Sequence, residues 1–166
     1  MNEPSKFARV ILEQFTSTWD KDEWVVPLRR ALEGVSAKEA AWVPPGSGNT
    51  IWQTVNHMSF YNERILGRLT GGALPETDTN TQTFGEPGNP EDEAGWKETT
   101  ARAFELAGKI REALTTVTEE QLETIIGEGY TLRDSLTYWV THDSFHGGQI
   151  VLLRKLQNHW PETIWP

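Results

Sequence analysis

Apolar residues recur every three to four positions along most of this chain, and Pro, Gly and capping residues cut that rhythm into separate pieces. On an α-helix such a period gathers the apolar side chains into one stripe that must be buried against another element. The period-two alternation of a half-buried strand is not evident, so no clear β-strand is expected. The chain is therefore constrained to a set of amphipathic helices packed stripe to stripe.

Phe7, Val10, Ile11, Phe15, Thr18 and Trp19 place a first helix from about Ser5 to Trp19. Pro27 suits the first turn of a second helical piece that ends near Gly34. Ser36 and Glu39 form an S-x-x-E capping box for one more short turn, stopped at Pro44-Pro45-Gly46. Thr50 is an N-cap for a helix of about twenty residues, with Ile51, Val55, Met58, Ile65 and Leu69 on its stripe and Gly71-Gly72 at its end. The segment from Ala73 to Asn89 is rich in Pro, Gly, Thr and acids and reads as a long loop, of the kind that serves as a functional lid or a connector. Asn89 as N-cap and Pro90 at the first helical position announce a third long helix to about Thr115. Thr118 to Gln121 starts a short helix that Gly127 and Gly129 end. The last long helix runs from Thr131 to about Asn158, with Leu132, Leu136, Trp139, Asp143, His146, Ile150 and Leu153 inward. Four long helices, two short connectors and one long loop predict an all-α four-helix bundle, and 166 residues suit one domain over 1–166.

The charge balance narrows the function. Fifteen Lys+Arg against 24 Asp+Glu leave a formal charge of −9, which repels phosphate backbones, so nucleic-acid binding is not expected. The opening MNEPSKFARV lacks the features of a secretory signal and no apolar run approaches a membrane span, which predicts a cytoplasmic protein without membrane contact. With no cysteine there is no disulfide, thiolate ligand or thiol nucleophile of the chain's own.

Three of the four histidines fall inside long helices. His142 and His146, four apart, stack on adjacent turns of one face, a spacing that brings two imidazoles to one ion. His146 lies within the apolar stripe and His142 at its edge. His57 falls roughly 120° from the centre of its own helix's stripe, on a flank from which it can face a neighbouring helix across a groove. Alone, an H-x-x-x-H pair is a weak signal, more often hydrogen-bonded core histidines than a metal site. A third helical histidine favours an open site of three imidazoles. His159, near the chain end, reads as exposed and incidental.

SAKEAAWVPPG, TIWQTVNHMSFYNERILGRLTG and GYTLRDSLTYWVTHDSFHGGQIVLLRKLQ, in that order, resemble the DinB/YfiT-like family of metalloenzymes. Its most specific element is H-x-x-x-H-x-G-Q-I. The resemblance implies a four-helix bundle, often a homodimer, with a divalent metal held by His57 from the second long helix and by His142 and His146 from the last.

A divalent ion on three neutral imidazoles keeps its full charge, so a water on its open position drops to a pKa of about 7 and a thiol there is deprotonated. Hydrolysis of an ester or amide is one outcome. The other, which the resemblance to thiol S-transferases and mycothiol-dependent isomerases implies, is transfer of an external low-molecular-weight thiol to a small electrophilic substrate. A non-catalytic metal- or ligand-binding protein is the competing class. Zinc, nickel, iron and manganese all suit such a site, zinc or nickel best.

Among helper residues, Asp143 adjoins His142 and reads either as an acceptor fixing its tautomer or as a helix acid paired with an arginine. Tyr61, one turn past His57, reads as a substrate contact or as core. Gln149, three residues after His146, reads as a hydrogen-bonding group between helices near the cofactor. Gly147-Gly148 in mid-helix costs about 1 kcal/mol per residue, which close helix packing or a dimer contact would offset. Trp19, Trp24, Trp52 and Trp139 read as pocket-lining or core residues, and Trp160 and Trp165 as packing a tail onto the bundle or a partner.

Overall fold

A computed structural model describes residues 4–46 and 48–161. Trp165 lies outside the described residues. The elements in chain order are α1 (Lys6–Trp19), α2 (Leu28–Ala31), α3 (Ala37–Ala40), α4 (Ile51–Thr70), a 3-10 helix (Asn80–Phe84), α5 (Glu93–Leu114), α6 (Glu119–Leu122), β1 (Ile125–Gly127), β2 (Tyr130–Thr131) and α7 (Leu132–Leu156). The four long helices α1, α4, α5 and α7 make the all-α bundle that the periodicity predicts. Helix α4 packs along α5 and α7, and α1 packs on α5 and α7.

Helix starts follow the local chemistry. The Ser5 side chain caps α1, and capping boxes open α3 (Ser36 and Glu39), α4 (Thr50 and Gln53), α6 (Thr118 and Gln121) and α7 (Thr131 and Asp134). Each satisfies amide hydrogens that a helix start leaves unpaired. Gly71 closes α4 with φ 72°, a left-handed conformation that glycine adopts without strain.

Two expectations change. Helix α5 begins at Glu93 with Asp92 as its cap, three residues later than Asn89 predicts. The Asn89 side chain accepts from the Glu91 N–H in a separate turn, because Asn and Asp compete for the same local amides. After α6 the chain forms an antiparallel hairpin, Ile125 opposite Thr131 and Gly127 opposite Tyr130, where no strand was expected. Strands of three and two residues are too short to show a period.

The core is one cluster built from all four long helices and the short α2 and α3. Phe15 stacks 4.7 Å from Trp139, and Trp19 meets Phe104 edge-on. Of the tryptophans read together as pocket or core, Trp19, Trp52 and Trp139 are buried, but Trp24 is 99% exposed in the turn after α1. Trp160 lies beneath the Arg154 guanidinium, packing the tail onto α7. Gly147 faces Leu28 of α2, 3.7 Å from where a Cβ would stand, whereas Gly148 faces open space. A Cβ at that distance makes ordinary contact, so close packing requires neither glycine. His159 Nδ1 stands 2.5 Å from Glu39 Oε1, and the side chain is half exposed.

Candidate metal centre

Helix α4 carries two stripes. The apolar one (Ile51, Val55, Met58, Ile65) enters the core. The polar one binds the loop that returns over it: Thr50 Oγ1 donates to the Pro87 carbonyl, Gln53 Nε2 to Gly85, Asn56 Nδ2 to Phe84, Tyr61 Oη to Asn80 Oδ1 and Arg64 Nη1 to Pro75. Gly88 lets this loop lie against Trp52, since a Cβ there would stand 2.5 Å from the indole. The segment 73–89 is thus a fixed cover over the flank of α4, held by side chains at helical spacing.

His57 sits under that cover and is 3% exposed. Its position off the apolar stripe suggested a groove, yet the ring is buried because Phe84 stacks on it at 3.9 Å and 8°. From α7, His146 is 7% exposed and the His142 side chain 27%. The three imidazoles bring one nitrogen each to within 4.8 Å of the others, and His57 Nε2 and His142 Nε2 stand 3.0 Å apart. Bonds of about 2.1 Å put two nitrogens on one ion about 3–4 Å apart.

The partners of the opposite ring nitrogens define the tautomers. The Thr83 hydroxyl gives its only hydrogen to the Asn80 carbonyl at 2.6 Å, so toward His57 it accepts, and His57 Nδ1–H donates to it at 2.5 Å. His142 Nδ1–H donates to Asp143 Oδ1 at 3.2 Å, and His146 Nδ1–H to Gln149 Oε1 at 2.7 Å. With each Nδ1–H so engaged, Nε2 is the nitrogen left free on each ring, and those of His57 and His142 face each other directly. Their lone pairs repel unless a proton or cation lies among them. Burial, then the neighbouring His146 and His142 charges, pushes the His57 pKa down to about 3. Burial and His142 also lower that of His146. A proton is therefore a poor filler at neutral pH, and a divalent cation suits the donor set.

Asp143 gives a second indication. It is fully buried, and Oδ2 accepts from Trp19 Nε1 at 2.9 Å and from Asn62 Nδ2 at 3.0 Å. Asn62 in turn accepts from Trp139 Nε1 at 2.6 Å. Among the described residues no Arg or Lys pairs with this carboxylate, which corrects the helix-acid reading. Ionising a buried carboxyl group without a cationic side chain beside it is costly, and a dication beyond His142 would offset that cost.

Tyr61 meets His57 and His142 edge-on at 5.0 and 5.1 Å. Gln149 bonds within its own helix rather than between helices. The residues that sequence reasoning missed are Thr83, Phe84 and Asn62. Loop length alone pointed to the segment holding the first two, and no periodic signal marks them.

Beside His142 a cavity of about 380 Å³ opens between α4 and α7, walled by Tyr61, Ile65, Arg68 and Trp139 and rimmed by Ile126 and Tyr130 of the hairpin. No described helix is long and apolar enough to cross a membrane. No curated protein matches the chain. A model of the DinB superfamily matches residues 27–150, 124 of the 166. Since that span contains all three histidines and the loop that covers one of them, the chain belongs to the DinB superfamily.

Proposed function

We propose that the protein holds one divalent cation on His57, His142 and His146 and is an enzyme that transfers a low-molecular-weight thiol to a small electrophile. The observation that carries the reading is the set of three Nδ1–H donors, each engaged, on three rings that bring one nitrogen each to within 4.8 Å of the others. A divalent cation bound there supplies one service, acidifying a thiol that reaches its open position. The chain has no cysteine, so the sulfur comes from a second small molecule. As its S–C bond forms, the electrophile's leaving group departs with its electron pair and the thiol proton passes to solvent.

Asp143 holds the ring of His142, and Gln149 that of His146. Tyr61 lines the cavity and spends its hydroxyl hydrogen on Asn80. Among the described residues the cavity wall contains no carboxylate. Hydrolysis of an amide or ester needs a proton for the departing group, whereas displacement of a halide does not, and this favours thiol transfer over hydrolysis. The test is consumption of monochlorobimane with bacterial low-molecular-weight thiols by zinc- or nickel-loaded protein. Saturable turnover that His146→Ala abolishes is expected. A rate equal to that of His146→Ala with every thiol would overturn it, and metal-dependent cleavage of esters instead would move the assignment to hydrolase.

The outer face of α7 supports a homodimer. Tyr138, Phe145 and Leu152 recur every seven residues, each more than half exposed, with bare Gly148 between the last two. Light scattering should give twice the 18.8 kDa chain mass, and Phe145→Lys should return it to one. A cytoplasmic location belongs to the same proposal.

A further inference from the structure

We infer that Arg64 and Arg68 form an oxyanion subsite in the cavity beside His142, so that the small molecule bound there carries a carboxylate or phosphoryl group. The inference rests on the proposed function only in taking this cavity as the substrate's; the subsite itself needs no metal.

The two arginines are one turn apart on α4 and both line the cavity. Like charges at this spacing repel. Among the described residues neither arginine has an ion pair within 4.0 Å, in a chain with 24 acidic residues of which none lines this cavity. Arg64 also borders a more polar groove containing Glu76 and Asp78, but its Nη1 goes to the Pro75 carbonyl.

Arg68 is pinned across the cavity floor. Its Nη1 donates to Ser135 Oγ of α7 at 2.6 Å, and its Nε is buried with no hydrogen-bond partner. Burial, then the Arg64 charge, lowers its pKa. A half-buried guanidinium that lines a cavity and has no ion pair among the described residues is the group that a planar oxyanion satisfies, often by two parallel hydrogen bonds. The remaining wall is Ile65, Ile126, Tyr130, Tyr138 and Trp139, which suits an apolar or aromatic body attached to that anion. Such a ligand would lie with its charged end at Arg68 and its other end toward His142.

The test uses metal-free, full-length protein and three probes of equal chain length, hexanoate, hexyl phosphate and hexanamide, titrated by NMR with the Trp139 indole as reporter. One or both anions should bind about tenfold or more tightly than the amide, and the tighter one names the oxyanion. Arg68→Met should remove the preference and Arg64→Met should reduce it, both with wild-type melting temperatures. If Arg68→Met unfolds, loss of the preference in Arg64→Met carries the test. Equal affinity for anion and amide in the wild type, or an undiminished preference in the variants, overturns the subsite. The same titration in His146→Ala separates the two ideas: retained arginine-dependent preference there stands whether or not the wild type binds metal.

Discussion

The two helices that build the histidine cluster do so in different ways. On α7, His142 and His146 are placed by a four-residue spacing, and both acceptors that orient them, Asp143 and Gln149, belong to the same helix within three residues. On α4, His57 has no acceptor on its own helix. It donates to Thr83, 26 residues on, and is buried by Phe84 of the same loop. One half of the centre is thus a property of a helix, while the other exists only when a loop closes on a polar stripe. Local placement costs little entropy beyond helix formation, whereas the loop must be ordered by its five side-chain tethers.

Predictions follow from that contrast. The largest effect is loss of the ion: protein purified without an affinity tag and reconstituted should carry about one equivalent of divalent metal, and His57→Ala or His146→Ala about a tenth or less by elemental analysis. Equal retention by either variant would show that one helix suffices. Next, Asp143→Asn should weaken metal binding about 10–100-fold in chelator competition, the usual effect of removing a carboxylate behind a ligating histidine.

Thr83→Val and Gln149→Ala separate the two halves. Each should weaken metal affinity by about tenfold, but only Thr83→Val should raise amide hydrogen exchange, and only across 79–85. Faster exchange in both variants, or in neither, would erase the distinction.

The smallest effect is a pH dependence of the metal-free protein. His57 in the folded state takes a proton only near pH 3, while the unfolded chain takes it near 6.5, so the unfolded state gains protons first on acidification. The contribution to stability is complete above about pH 6.5 and is lost as the pH falls toward 3. Urea midpoints should decline over that window, and less so for His57→Asn. A flat profile for the wild type would mean that the loop does not seal His57.

Much of this was legible from residue order. The capping boxes at Ser36 and Thr118, the helix starts at Thr50 and Thr131, the αL glycine at Gly71 and the three-to-four period of α1 and α4 are local signals, and they were realised in place. Asn89 misled because an asparagine that caps a turn looks like one that caps a helix. The hairpin at 125–131 was too short to read. Trp24 looked like its buried counterparts because composition does not say which way a turn faces.

The sequence by itself determined the four helices, the helical facing of His142 and His146, and the absence of any thiol from the chain, since each follows from residue identity or from spacing within one element. Only the tertiary structure decided that His57 is buried, that Thr83 directs its proton away from the cluster, that Asp143 is held by Trp19 and Asn62, and that two arginines face a cavity without an acid. Those facts depend on groups up to 124 residues apart in the chain, brought together by burial of the helix stripes and closure of one loop, and no local period encodes them.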